Sequence, residues 1–203
     1  MKPISALLSL LPFLANATPL LPRQGPQAQI TSITASGPGC APGTFSTSID
    51  PTSAIATFGF DAYQSAIGAG VPGSDREKHC ELFLTVRFPL GCTTASVTTT
   101  SHGFAVLGAG TSGVVATGYN ISPGNLSNGN PPSKTLSGAQ WADGDVYQKE
   151  DQNVARVQIN GEGQRDVQFV VRSRVFVTGS GSNPEGLVTT DDIVVAITGL
   201  QTC

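Results

Sequence analysis

The stretch DVQFVVRSRVFVT, residues 166–178, alternates with a period of two. Val167, Phe169, Val171, Val175 and Val177 fall on one face of an extended chain, with Ser173 as the polar interruption. Gln168, Arg172, Arg174 and Thr178 fall on the other face. A helix would scatter these residues around its circumference, so the pattern predicts a long, half-buried strand. The stretch CELFLTVRF, residues 80–88, reads the same way. Leu82, Leu84, Val86 and Phe88 share one face, and Glu81, Thr85 and Arg87 the other. Phe83 interrupts the polar face, which predicts partial cover on that side.

Working outward from these two strands, further strands are expected at residues 29–36, 93–107, 113–121, 134–136, 154–159 and 187–200. In the last of these Ile193, Val195 and Ile197 point inward. Residues 44–49 and 54–60 form a hairpin across Asp50-Pro51-Thr52-Ser53, and the strand at 93–107 bends near Gly103. That makes about ten strands, separated by turns rich in the chain's 24 glycines and 14 prolines, with no helical periodicity. Each sheet must bury its apolar face, so the expected fold is all-β: one two-sheet antiparallel β-sandwich, jelly-roll-like, spanning residues 29–203. A closed barrel is the other packing solution. Residues 61–79 read as a long ordered loop pinned to the sheet by Cys80. Its charge run, Asp75-Arg76-Glu77-Lys78, is mixed in sign and reads as solvated and internally paired.

Charged residues make up 12% of the chain and the net charge is −3. No basic patch points to nucleic acid, and no basic amphipathic helix points to a membrane surface. Lys2, the apolar run 4–14 and Ala15-Asn16-Ala17 form a signal peptide, residues 1–17, cleaved after Ala17. No later apolar run reaches bilayer length. Residues 18–28 read as a flexible arm, in which Arg23 is a candidate second processing point. The mature chain is expected to be secreted, extracellular and monomeric.

Four cysteines, Cys40, Cys80, Cys92 and Cys203, in an exported chain predict two disulfides, with three connectivities open. There is no Cys-x-x-Cys, and His79 and His102 lack ligand spacing, so no zinc site is read. No Gly-x-Ser-x-Gly elbow accompanies either histidine, and the spacing of the acids identifies no hydrolytic pair. Asn120-Ile121-Ser122 and Asn125-Leu126-Ser127 are glycosylation acceptors in a predicted loop, residues 122–133, with Asn120 just before it. The one local cluster with chemistry to test is Trp141, Asp143, Asp145 and Tyr147. The two acids suit a cation and the two rings suit a sugar face. The plainer reading is a polar turn beside a buried tryptophan. The full calcium-loop pattern is absent, and no cofactor is implied.

Gly39-Cys40-Ala41-Pro42-Gly43, Phe60-Asp61-Ala62-Tyr63, Gly68-Ala69-Gly70-Val71, Arg76-Glu77-Lys78-His79-Cys80-Glu81-Leu82 and Phe88-Pro89-Leu90-Gly91 together resemble a family of small secreted fungal and bacterial proteins. That family is catalogued as domain of unknown function 4360. The resemblance is firmest over residues 29–91. It implies a secreted, disulfide-bonded β domain and supplies no catalytic residue. The chain departs from the family pattern where Cys92 replaces an aromatic residue and where a late cysteine before Cys203 is missing. The resemblance therefore implies that the bridge to Cys203 has changed partner.

Strand lengths complete the pairing. Cys80 and Cys92 flank a strand about 40 Å long, far beyond the roughly 4.4–6.8 Å a bridge spans, so Cys40–Cys80 and Cys92–Cys203 are expected. The functional expectation is a non-catalytic secreted protein acting at the cell wall or a host surface, with cell-wall polysaccharide or a host extracellular protein as partner. The alternatives are a carbohydrate-binding module centred on Trp141 and Tyr147, an extracellular protease inhibitor or effector presenting residues 68–78, and a glycan-active enzyme.

Overall fold

The computed structural model describes residues 27–52, 54–90, 94–122, 132–158 and 165–201. Among them the chain forms twelve strands: β1 (Gln29–Ser36), β2 (Phe45–Ile49), β3 (Ile55–Phe60), β4 (Gln64–Ile67), β5 (Glu77–Phe88), β6 (Thr94–Leu107), β7 (Thr111–Ser122), β8 (Ser133–Ser137), β9 (Asp145–Gln158), β10 (Arg165–Gly179), β11 (Gly186–Thr189) and β12 (Asp192–Gln201). Two single 3₁₀ turns, Gly73–Asp75 and Ala139–Trp141, interrupt them, and no α-helix occurs among the described residues.

The strands form two antiparallel sheets. The first runs β1-β5-β10-β7-β8, and the second β2-β3-β12-β6-β11-β4, with β9 on the remaining edge of β6. Alternation decides which side faces the core. Leu82, Leu84, Val86 and Phe88 of β5 are fully buried, as is Val175 of β10, and Phe58, Ile193 and Val195 meet them from the second sheet. Burying each such side chain stabilises the fold by roughly 1.5–3 kcal/mol. Ser173, the polar break in β10, is also buried, and it accepts a hydrogen bond from the Tyr63 hydroxyl at 3.1 Å. Phe83, on the outer face, is partly covered.

Three strand expectations need correction. Residues 61–79 are not all loop, since β4 lies within them and pairs with β11. Residues 187–200 are two strands, not one. The chain breaks pairing at Thr190 and Asp191, whose N–H groups donate to the Tyr63 and His102 carbonyls, each at 2.8 Å. β9 begins at Asp145, nine residues ahead of the expected 154, because its inward positions carry Lys149 and Asp151 and so hide the alternation. The count is therefore twelve rather than about ten.

Gly103 sits where β6 passes from β12, which pairs up to His102, to β11, which pairs from Ala105. A Cβ there would lie 2.2 Å from the Thr189 carbonyl oxygen, so only glycine lets β11 approach.

Cys40 and Cys80 are joined, with Cα atoms 5.6 Å apart and both residues buried. The turn before Cys40 is locked to β5 by the Gly39 N–H, which donates to the His79 carbonyl at 2.8 Å. A Cβ on Gly39 would strike the Tyr63 ring at 2.4 Å. Residues 1–17, Arg23, Cys92, Asn125 and Cys203 lie outside the described residues. The chain is already packed at Ala28, which is buried.

Candidate functional site

The structure turns the two rings of the predicted cluster inward and its two acids outward. Trp141 ends the second 3₁₀ turn and is buried, with no hydrogen-bond partner for its Nε1 among the described residues. Tyr147 stands on the inward face of β9. Its hydroxyl donates to the Thr189 carbonyl at 2.7 Å and lies 2.9 Å from Thr190 Oγ1, and burial pushes its pKa up. Asp143 and Asp145 are exposed, and Asp145 Oδ1 accepts the N–H of Val146 at 2.8 Å. Neither ring offers a face to a sugar, and no group of three or more His, Cys, Asp or Glu is gathered for a cation among the described residues.

Asn120 lies near the end of β7 rather than in a loop, with its side chain exposed. His102 and Asp192 are register partners across β6 and β12, with Nδ1 and Oδ1 2.8 Å apart. This is the His–carboxylate arm of a hydrolytic triad in isolation. Ser101, the adjacent hydroxyl, faces the core and is buried.

Between the sheets, one carboxylate gathers three donors. Asp151 Oδ2 accepts from Thr117 Oγ1 at 2.6 Å, from the Tyr119 hydroxyl at 2.7 Å and from Lys149 Nζ. Burial depresses the Lys149 pKa, and the Asp151 carboxylate opposes that shift. Burial pushes the Tyr119 pKa up. The cluster is closed and structural.

One open cleft, of about 450 Å³, lies on the outer face of the first sheet. Ala116 and Gly118 of β7 are small and leave the space. Glu77, His79 and Glu81 of β5 and Arg172 and Arg174 of β10 line one side, and Pro132 the other. Arg174 grips Glu77 with a two-pronged fork, 2.6 and 2.7 Å, and lies 4.6 Å over the Phe176 ring. That fork holds the Glu77 carboxyl below its usual range. Arg172 Nε pairs with Glu81 Oε1 at 2.8 Å. Such exposed pairs contribute little to stability, about 0–1 kcal/mol each, but they fix where the polar groups point. Glu77 and Glu81 are four residues apart on one strand face, about 13 Å, which is too far for the paired carboxylates of glycoside hydrolysis. Sequence reasoning missed this cleft. Its walls come from strands roughly a hundred residues apart in sequence, as the 97-residue separation of Glu77 and Arg174 shows.

Over 170 residues the chain is 26% identical to an uncharacterized secreted protein of Arthroderma benhamiae, a match covering 82% of this chain and 66% of that protein. Two solved structures are distant likenesses. TmCBM61 in complex with beta-1,4-galactotriose is 11% identical, with a TM-score of 0.28 over 82% of this chain and 89% of that one. The enzymatically active domain of bacteriophage CBA120 tailspike protein 4 is 12% identical, with a TM-score of 0.29 over 83% and 20%. At these scores neither likeness bears on fold or function. The family comparison does: residues 26–202 match the family model of Domain of unknown function (DUF4360), and the chain belongs to that family.

Proposed function

We propose that the protein is a secreted, non-catalytic binding domain whose cleft over Ala116 and Gly118 holds a neutral, hydroxyl-rich segment of cell-wall polysaccharide. The observation that carries this reading is the pre-paired lining of the cleft. Glu77 and Glu81 are each matched by an arginine, so the site carries little net charge to select an ion. The fixed guanidinium and carboxylate groups still present alternating donors and acceptors, and hydroxyls, which both donate and accept, complement such an array. Export is supported by the Cys40–Cys80 bridge, since such bonds persist in oxidising compartments, and by the secreted relative.

The test uses a variant that fills the cleft without harming the fold. Gly118 has no left-handed backbone, and an added Cβ meets only Arg172 Cβ, at 3.8 Å. Wild type should be retained on insoluble cell-wall polysaccharide, and Gly118→Leu should bind at least about tenfold more weakly, a loss near 1.4 kcal/mol. Undiminished retention of Gly118→Leu, or no retention of wild type on any polysaccharide, would overturn the reading.

A further inference from the structure

The outer face of the first sheet carries two apolar rows among polar and charged neighbours: Phe176 opposite Val114, with Arg174 lying over the Phe176 ring, and a second row farther along the strands. Antiparallel register places Asn120 opposite Val170 and Val170 opposite Phe83. The next row on one side holds Arg172 and Glu81, and the next on the other holds Gln168 and Thr85. Val170 and Phe83 are half-buried apolar side chains on a solvent face, and exposed Asn120 stands at the end of their row. Neighbouring strands are about 4.8 Å apart, so Phe83 lies about 10 Å from Asn120 across the sheet. That is within reach of the first sugars of a chain rooted on the asparagine.

Asn120-Ile121-Ser122 is an acceptor triplet with no proline in the middle. Asn120 Oδ1 accepts the Ile121 N–H at 2.8 Å, and its amide nitrogen has no partner among the described residues. We infer that Asn120 carries an N-linked glycan and that its first sugars lie across Val170 and Phe83. The donor is a lipid-linked oligosaccharide diphosphate. The Asn120 amide nitrogen forms a bond to the anomeric carbon and loses a proton. The bond from that carbon to the phosphate oxygen breaks, and the lipid diphosphate departs with the electron pair. The apolar face of the sugar rings then covers the row, removing Val170 and Phe83 from water. The glycan root stands two residues along β7 from Gly118, about 7 Å away, and bounds that end of the cleft.

The inference shares the export reading but not the ligand reading, so its test uses no ligand. The full chain is secreted from yeast in an Asn125→Gln background, which leaves a single acceptor in the mature chain. The peptide containing Asn120 should carry hexosamine, and Asn120→Gln should remove it. Trimming the glycan to one sugar should leave Tm above that of Asn120→Gln by about 2–4 °C, the shift expected of roughly 1 kcal/mol in a domain of this size. Val170→Thr should lower Tm more in the glycosylated protein than in Asn120→Gln, which reports the contact as a coupling. An unmodified Asn120 peptide would overturn the site. Equal Tm values for the trimmed protein and Asn120→Gln, or no coupling with Val170, would overturn the packing.

Discussion

Lys149 and Asp151 stand side by side on the inward face of β9, both buried, with the Lys149 ammonium bonded to the Asp151 carboxylate. Among the described residues β9 is an edge strand that pairs with β6 alone. Inward charges on an edge are a known way to stop a second chain from adding to it, because a slipped register would strand them. Lys134 adds to the protection by donating from β8 to the Gln148 carbonyl at 2.8 Å.

Removing one partner leaves the other charge buried alone. Lys149→Leu is therefore expected to cost about 3–5 kcal/mol in denaturant unfolding. The double variant Lys149→Leu/Asp151→Leu should recover most of that stability while self-associating more strongly than wild type. A double variant as unstable as the single one would show that the pair stabilises the core rather than guarding the edge.

The same residues show what the sequence exposes and what it hides. β5 and β10 are legible because over residues 80–88 and 167–177 every inward position but Ser173 is apolar or Cys80, and β1 matches its expected bounds, residues 29–36. β9 is hidden because two of its inward positions are charged, and their compensation comes from Thr117 and Tyr119, more than thirty residues away. Trp141 and Tyr147 admit two readings in the sequence, a sugar platform and a polar turn beside a buried tryptophan, because composition places rings next to acids; both rings are buried. Strand alternation, which turns Tyr147 inward, shows only once β9 is known to start at Asp145. His102–Asp192 and the cleft are non-local pairings, 90 and 97 residues apart, and no local pattern announces them.

Trp141 offers a direct check on that placement. Its ring fills the core and its Nε1 lacks a partner among the described residues. Trp141→Ala should cost about 3–5 kcal/mol through the cavity it leaves. Trp141→Phe removes the unpartnered donor along with some volume and should change stability by less than about 1.5 kcal/mol. Polysaccharide retention should be untouched in Trp141→Phe. Loss of retention with Tm intact would return the ring to the ligand site.

The chain's three tyrosines are Tyr63, Tyr119 and Tyr147, and burial raises the pKa of each above the ordinary 10.0. The folded state therefore keeps its phenol protons after the unfolded chain has begun to lose them. This contribution to stability is whole below pH 10.0 and is lost as pH rises towards the folded values. Lys149 acts in the opposite sense. Its folded pKa is below 10.5, so between that depressed value and 10.5 its term favours folding as pH rises. Three groups outweigh one, and stability should fall above about pH 10. Tyrosinate absorbance should rise together with the loss of β-sheet circular dichroism. Ionisation of even one tyrosine well before the structure melts would mean that its hydroxyl is open to water.

The remaining cysteines give the last prediction. The Cys40–Cys80 bridge closes a separation of 40 residues, worth about 4 kcal/mol in the chain-entropy account. At the far end of the β6–β12 ladder, Thr94 is the register partner of Gln201. Cys92 comes two residues before Thr94, and Cys203 two residues after Gln201. The strands are antiparallel, so two more residues of the same register would set the two cysteines opposite each other. Opposed residues in such a ladder have Cα atoms about 4.5–5.5 Å apart, inside the roughly 4.4–6.8 Å that a disulfide spans. A non-reducing peptide map should recover Cys92 joined to Cys203, with no free thiol in the mature protein. The pair Cys92→Ser/Cys203→Ser should lower Tm without altering the Cys40–Cys80 crosslink. A peptide joining Cys40 to Cys203, or alkylation of Cys92 in the unreduced protein, would refute the pairing.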